Sequence, residues 1–172
     1  VCPHGCIRTF YPLAETALPA DFHTVRAKGK AFSGRNFRVQ VSPLDCTGCE
    51  NCARTCPAKG KALVMRPAAE MAQEQANWAF AVSLPETAIG EADTIPLAQA
   101  KPPLFEFSGA CAGCGETPYI KLLTQLFGSH LMIANATGCS SIYAGSAPSC
   151  PYTVNQKGQG VAWGNSLFED NA

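Results

Sequence analysis

The sequence has no excess of charge of either sign, no long apolar run and few histidines. Its 13 Lys and Arg residues balance its 13 Asp and Glu residues, so the formal net charge is zero. A neutral chain has no bulk attraction to nucleic acid or to a membrane surface, and we expect neither as a partner. No apolar run approaches the roughly 20 residues that span a bilayer, and the first residues lack the pattern of a secretory signal. The three histidines stand far apart, and each is interpreted as structural or solvated.

Cysteine, by contrast, is abundant, with ten residues in a chain of 172. Ten cysteines would suit a secreted disulfide scaffold. The stretch DCTGCENCARTCP, residues 45–57, argues against that class, because cysteines at this spacing bind iron and must stay reduced. A reducing compartment fits better, and we expect a cytoplasmic location.

Four cysteines form a C-x2-C-x2-C-x3-C run that is followed at once by proline: Cys46, Cys49, Cys52 and Cys56. This is the bacterial ferredoxin spacing, in which two-residue turns bring successive thiolates onto neighbouring iron atoms of a cubane. In two-cluster ferredoxins the fourth cysteine of the run binds the other cluster, so Cys56 is expected to serve a second [4Fe–4S] centre. Zinc is the alternative, but zinc sites use paired C-x2-C hooks and have no use for the third and fourth cysteines of this run.

The opening residues, VCPHGC, contain another Cys-Pro pair with no cysteine before it. Cys2-Pro3 matches the closing element of a first ferredoxin motif whose earlier part is missing, and residue 1 is not Met. We therefore expect a fragment or a processed piece of a longer protein. By the exchange of fourth ligands, Cys2 completes the cluster held by the first three cysteines of the run.

A second constellation, GACAGCGE over residues 109–116, holds Cys111 and Cys114 in a C-x2-C turn flanked by glycines. Glycine lets a backbone come close to a bulky inorganic or phosphate ligand. On local grounds the pair could be a redox dithiol, a zinc hook or half of a cluster site. Cys139 is a candidate third thiolate, and no fourth is evident. The two remaining cysteines fall outside these spacings and are interpreted as ordinary residues: Cys6 and Cys150.

In the first part of the chain, residues 7–36 are predicted as a long irregular connection. FRVQV (37–41) and ALVM (62–65) are predicted as strands on either side of the ferredoxin run. A helix is predicted over 68–81, and the proline-rich stretch 83–103 is predicted as a linker.

In the second part, TPYIKLLTQLFG (117–128) is predicted as a helix, with Thr117 as its N-cap and Gly128 as its end. LMIANA (131–136) is predicted as a buried strand. A helix, a strand and a small-residue loop are typical of an open α/β sheet, so residues 137–141 are expected at a ligand-binding edge.

Several of these stretches resemble the pyruvate:ferredoxin (flavodoxin) oxidoreductase family. They are FSGACAGCGETPYIKLLTQLFG, ANATGCSSIYAGSAPS, PYTVN and NSLFEDNA, together with the preceding ferredoxin run. The resemblance implies an α/β plus α+β fold: a partial bacterial-type two-[4Fe–4S] ferredoxin domain, then the first part of a thiamine diphosphate-binding α/β domain. The predicted boundaries are 1–66 for the ferredoxin-like part, 67–103 for a helix and linker, and 104–172 for the thiamine part.

The resemblance also implies residue roles. Three cysteines match ligands of the cluster beside the thiamine, with the fourth ligand past residue 172: Cys111, Cys114 and Cys139. Glu116 and Cys139 match positions that contact the thiamine. No catalytic residue is expected within the chain, and the ligands of the Mg²⁺ that holds the diphosphate lie outside it.

The family resemblance implies an enzyme that converts a 2-oxoacid, usually pyruvate, and coenzyme A to acetyl-CoA and carbon dioxide. Electrons pass through three [4Fe–4S] clusters of the full-length enzyme to ferredoxin or flavodoxin. A homodimer is expected when full length, in the cytoplasm or, in an anaerobic eukaryote, in a hydrogenosome or similar organelle. The alternative is a stand-alone ferredoxin-type electron-transfer module, for which residues 104–172 would have no use.

Overall fold

The computed structural model describes residues 1–87, 94–145 and 150–165. Strands and helices are mixed along this part of the chain. In chain order they are β1 (Ile7–Phe10), β2 (Val25–Arg26), β3 (Asn36–Val41), α1 (Asn51–Arg54), α2 (Ala72–Ser83), α3 (Ile95–Ala100), α4 (Thr117–Phe127), β4 (Met132–Asn135), α5 (Cys139–Gly145) and β5 (Ala162–Asn165). Short 3₁₀ turns occur at Lys30–Phe32, Ala68–Glu70 and Gly128–His130.

Two compact units can be separated by their internal contacts. The β1–β3 unit comprises Cys6–Cys46 and Ala53–Lys101, and the α4–β5 unit comprises Val1–Gly5, Thr47–Cys52 and Pro102–Ala172. The domain boundaries at 66 and 103 stay a prediction.

No helix in the described ranges is both long enough and apolar enough to span a bilayer.

The β1–β3 unit is built on a three-stranded antiparallel sheet in the order β1-β3-β2. The prediction of a strand in FRVQV is confirmed by β3. Ile7 pairs with Val41 and Val25 pairs with Phe37, so both partner strands come from the stretch that was predicted to be irregular. That prediction was wrong because short edge strands next to prolines carry too little periodicity to stand out from a loop.

A polar network lies where β3 meets α2. Gln40 is 1% exposed, and its amide donates to the backbone oxygen of Glu74 at 3.1 Å and to its carboxylate at 2.9 Å. The Arg38 guanidinium makes a 2.9 Å ion pair with the same carboxylate and lies 4.5 Å from the centre of the Phe22 ring. Arg38 and Gln40, the polar residues of FRVQV, therefore hold α2 against β3.

An aromatic cluster forms the separate apolar core of this unit. Tyr11 stacks on Phe32 with ring centres 4.1 Å apart, and Phe37 packs beside them. Ala100 and Leu97 of α3 join this cluster, and the hydroxyl of Thr9 donates to the Gln99 oxygen. 

Three further predictions in this unit can be compared with the structure. A helix over 68–81 is confirmed, with a 3₁₀ turn before α2. The strand predicted over 62–65 is wrong, because those residues adopt no strand. The linker predicted over 83–103 contains the helix α3, and its residues 88–93 lie outside the described ranges.

The α4–β5 unit places α4 before a parallel pair of strands, β4 and β5, in which Met132 pairs with Ala162. Parallel strands need a crossover connection, and α5 lies within it. The helix prediction for 117–128 is confirmed, and Gly128 with φ +43° follows its last residue. The prediction that 131–136 is a buried strand was wrong about burial, since Met132 is 83% exposed and β4 pairs on one side only within the described residues.

The core of the α4–β5 unit is also aromatic. Phe105 is 2% exposed and makes edge contacts with Tyr143 and Tyr152, at ring-centre distances of 6.0 and 5.0 Å. Trp163 of β5 packs at the edge of the cluster, close to Gly145. A Cβ at Gly145 would lie 2.5 Å from the indole, so this position requires glycine.

Replacing Arg38 with Met should destabilise the β1–β3 unit. The change removes the ion pair to Glu74 and the cation over Phe22, and we expect the free energy of unfolding to fall by about 1–2 kcal/mol. The figure stays small because the Glu74 side chain is 40% exposed and water screens the pair. Urea denaturation followed by the fluorescence of Trp78 measures it.

The same variant should show a pH dependence. Burial acts against the Glu74 carboxylate, but hydrogen bonding from Gln40 and the charge of Arg38 outweigh it and lower its pKa below 4.5. A depressed carboxylate pKa stabilises the fold above the unfolded value and loses that effect as pH falls through the folded value. The Arg38→Met penalty should thus be largest near neutral pH and shrink in acid. Arg26→Met, at an exposed site in β2, is the matched control, and a penalty that does not change with pH would contradict the explanation.

Candidate metal centre

The ferredoxin run lies in a loop shaped by two left-handed residues. Gly48 has φ +69° and Glu50 has φ +65°, and the short helix α1 begins at the next residue. Such conformations turn successive N–H groups to one side, where they form a concave site for a negative group. The four cysteines of this run are exposed or partly exposed.

Cys56 is surrounded by backbone donors from the residues that follow it. The Ala62 N–H donates to its sulfur at 3.2 Å. The N–H groups of Ala62 and Ala58 lower the pKa of the Cys56 thiol, with smaller contributions from Leu63 and from the charge of Lys61, while burial opposes them. The loop closes in this way because Lys61 adopts φ +58° and its ammonium donates to the Cys56 oxygen at 3.2 Å. The Ala62 N–H, at the start of the predicted strand 62–65, is thus bonded to a sulfur and not to a neighbouring strand.

Cys114 has a similar local environment in the other constellation. Gly113 has φ +80°, and the Cys114 N–H donates to the Cys111 oxygen at 3.0 Å, which closes the C-x2-C turn. Burial disfavours the Cys114 thiolate, but hydrogen bonds from the N–H groups of Thr117 and Glu116 outweigh this cost and lower its pKa. Cys56 and Cys114 therefore lie in turns whose N–H groups favour the thiolate, the form that binds metals.

Cys139 is exposed and is the first residue of α5. The loop before it is held by its neighbours, because Ser141 Oγ accepts from the Gly138 N–H at 2.9 Å and the Ser140 hydroxyl donates to Asn135 at 2.9 Å. Residues 137–141 were predicted as a loop. Only residues 137 and 138 lie in a loop, because α5 begins at Cys139. 

Glu116 precedes α4, and its backbone oxygen accepts from the Tyr119 N–H at 3.0 Å. Its side chain is exposed, and its charge acts on two tyrosines of the same unit. Burial raises the pKa of Tyr143, and the Glu116 carboxylate raises it further. Burial likewise raises the pKa of Tyr152 to about 12, with contributions from Cys150 and Glu116. The two tyrosines were not predicted from the sequence as residues of the site, since their spacing matches no motif.

Thr117 was predicted as the N-cap of α4, and that role is wrong. The N-cap is Glu116, with no side-chain cap, and the Thr117 hydroxyl instead donates to the Pro3 oxygen at 2.6 Å. A contact with a residue so distant in sequence cannot be read from local spacing.

The structure does not bring the predicted ligands together into one metal-binding group. Within the described ranges, no three His, Cys, Asp or Glu side chains lie close enough to hold a metal ion. The local turns and N–H donors are what the structure shows, and the ligand sets themselves stay a prediction.

Comparison with known proteins covers the whole chain. The chain is 59% identical over 176 residues to a pyruvate:ferredoxin oxidoreductase of Moorella thermoacetica. It is 54% identical over 175 residues to a pyruvate-flavodoxin oxidoreductase of Enterobacter agglomerans. Each match covers 100% of this chain and 15% of the relative. A mitochondrial pyruvate dehydrogenase [NADP(+)] of Euglena gracilis is 53% identical over 176 residues, across 100% of this chain and 10% of the relative.

The chain belongs to the pyruvate:ferredoxin (flavodoxin) oxidoreductase family.

The family resemblance seen in the sequence is thereby confirmed. No family model matches the chain. The chain spans about 15% of the length of each of these two oxidoreductases.

The donors around Cys56 lead to a prediction for the iron-free, reduced chain. Alkylation of Cys56 by iodoacetamide should reach half of its maximal rate at a pH below the ordinary thiol value of 9.0, because the thiolate is the reactive form. Mass spectrometry of the modified peptide at a series of pH values measures this. The same chain in denaturant is the control, and equal midpoints in both states would show that the folded loop does not stabilise the thiolate.

Proposed function

We propose that this chain carries electrons within a thiamine-dependent 2-oxoacid oxidoreductase, which oxidises pyruvate with coenzyme A and delivers electrons to ferredoxin or flavodoxin. The observation that carries the proposal is the presentation of backbone N–H groups to Cys56 and Cys114. Hydrogen bonds to sulfur are a main determinant of the potential of iron–sulfur clusters. Family membership supports the same function.

The residue types, the cysteine spacing and the local turns fit [4Fe–4S] centres. We assign the first three cysteines of the run, with Cys2, to one cluster, and Cys56 to a second whose other ligands lie outside this chain. Cys111, Cys114 and Cys139 are assigned to a third, whose fourth ligand also lies outside. The lowered pKa of Cys56 and of Cys114 supports a thiolate at each of these positions.

The neighbourhood of Glu116 fits a thiamine diphosphate site. When bound, this cofactor supplies the electron sink for loss of carbon dioxide from the 2-oxoacid. The residues of the chain would hold and orient it: the exposed Glu116 offers a carboxylate, and Cys139 follows the end of β4. The buried rings of Phe105 and Tyr143 would keep water from that side. We further propose that Mg²⁺ is bound by residues outside this chain.

A stand-alone ferredoxin-type carrier is the competing function. It is disfavoured by the α4–β5 unit, in which a parallel strand pair and an aromatic core follow the second cysteine pair. A ferredoxin-type carrier needs only the residues that bind its clusters, so the α4–β5 unit would have no function in it.

Metal analysis separates iron–sulfur clusters from zinc. Full-length enzyme purified without oxygen should contain about twelve iron atoms and as many labile sulfides per chain, for three four-iron clusters. Zinc with no labile sulfide would refute the proposal. 

Cys139→Ala and Cys150→Ala form a matched pair of exposed cysteines, of which only the first is an assigned ligand. Cys139→Ala should lower iron from about twelve toward about eight per chain, because one cluster loses a ligand. Cys150→Ala should keep full iron, with at most the small stability change of a surface substitution. Iron and sulfide quantitation with electron paramagnetic resonance measures both. Loss of a cluster in Cys150→Ala but not in Cys139→Ala would show that the assignment is wrong.

The 172 residues alone should not reduce a dye in the presence of pyruvate and coenzyme A. The assigned Mg²⁺ ligands and the remaining cluster ligands are not among them. Pyruvate-dependent dye reduction by the isolated chain, above that of a Cys114→Ala control, would contradict this expectation.

A further inference from the structure

We propose that Thr117 is a positioning residue that ties the Cys2 loop to the Cys114 turn and so sets the separation of two metal centres. The inference rests on the proposed function, because it takes Cys2 and Cys114 as ligands of two different clusters. Both belong to the α4–β5 unit, as does Thr117.

The first half of the tie is the hydrogen bond from Thr117 to the Cys2 loop. Thr117 is 1% exposed, and its hydroxyl donates to the carbonyl oxygen of Pro3, next to Cys2, over 2.6 Å. A threonine at the start of a helix would ordinarily use its oxygen to accept from N–H groups of the first turn. No side chain caps α4 in this way, so the bond to Pro3 does not serve the helix.

The second half of the tie is the contact with Cys114. Thr117 lies three residues after Cys114, at the end of the turn that holds this cysteine. Burial acts against the Cys114 thiolate, but the backbone and the hydroxyl of Thr117 favour it and help to lower its pKa. One buried residue therefore binds the peptide that adjoins Cys2 and belongs to the segment that follows Cys114. 

The Cys2 loop is also held at its other end, at His4 and Gly5. The Thr117 hydrogen bond therefore joins a loop that is held at both ends to the start of α4. His4 is 4% exposed, its Nδ1 lies 3.1 Å from the Ser108 oxygen, and its own oxygen accepts from the Phe107 N–H at 2.8 Å. Gly5 has φ +69°, and a Cβ there would lie 3.3 Å from the Glu106 side chain. Proline at position 3 adds a fixed φ. Removal of the Thr117 hydroxyl should thus free the ligand end of the loop and leave His4 in place. The freed end includes the Cys2 oxygen, which accepts from the Gly5 N–H at 3.4 Å, so exchange of the Gly5 amide reports on it.

The spacing matters because electron transfer between two centres becomes slower as they move apart. In that transfer one centre loses one electron and the other gains it, with no bond broken and no proton moved. A residue that holds a ligand of each centre therefore controls the step without contacting substrate.

The test compares three variants of the full-length enzyme: Thr117→Val, Thr117→Ser and Thr124→Val. Valine keeps the shape of threonine without the hydroxyl, and serine keeps the hydroxyl. Thr124 is the matched control, since it is equally buried in α4 and its oxygen accepts from the Leu104 N–H at 3.0 Å, away from the assigned ligands. The readouts are iron content, the spin–spin interaction of the reduced clusters in electron paramagnetic resonance, and hydrogen exchange of the Gly5 amide.

We expect Thr117→Val to keep its iron, to weaken the spin–spin interaction and to speed Gly5 exchange about tenfold, because a buried carbonyl loses its donor. Thr117→Ser should match the wild type. Thr124→Val should lower thermal stability and leave the spin–spin interaction unchanged. The exchange measurement also works on cluster-free protein, so it decides the outcome if Thr117→Val assembles no cluster.

Unchanged Gly5 exchange in Thr117→Val would overturn the proposal, as would equal changes of spin–spin interaction in Thr117→Val and Thr124→Val. Zinc instead of iron in the wild type, or no interacting cluster signals there, would instead overturn the proposed function.

Discussion

Backbone N–H groups that point at a cysteine sulfur cannot also pair in a sheet, and this constraint shapes the loops on which the proposed function depends. The Ala62 N–H donates to Cys56, and the N–H groups that precede and open α4 point at Cys114. An N–H that donates to a sulfur is not available to a neighbouring strand, and Ala62 lies in no strand. The left-handed conformations at Gly48, Gly113 and Lys61 are the geometric consequence. 

Polar groups, rather than apolar side chains, fix several of the key contacts in both units. Gln40 and Arg38 hold α2 through Glu74, and Thr124 holds α4 through the Leu104 N–H. A buried polar group is costly unless it is paired, so each of these contacts specifies one geometry more sharply than an apolar contact would. The aromatic clusters around Tyr11 and Phe105 supply the apolar burial, and the polar pairs set the register of the helices against them.

What the sequence predicts well is local. The helix over 117–128 has an apolar stripe and a terminal glycine, the strand in FRVQV has alternation, and the structure confirms both. What it predicts poorly depends on distant partners. ALVM, which was expected to be a strand, forms none, and its first N–H, that of Ala62, is bonded to the Cys56 sulfur. The N-cap role of Thr117 failed because its hydroxyl is bonded to Pro3. For the metal centres the sequence supplies the ligand spacing, but which thiolates share a cluster depends on residues far apart in the chain and remains a prediction.

The short segment 114–117 shows why those long-range contacts matter for the proposed function. Cys114 is an assigned cluster ligand, and the Thr117 hydroxyl donates to the Pro3 oxygen in the Cys2 loop. Burial acts against the Cys114 thiolate, but the N–H groups of Thr117 and Glu116 favour it and lower its pKa. If Glu116 holds the cofactor as proposed, a displacement of this residue would also move an N–H group that favours the Cys114 thiolate. Because donors to sulfur help to set cluster potential, cofactor binding and electron acceptance would be linked through four consecutive residues at the start of α4.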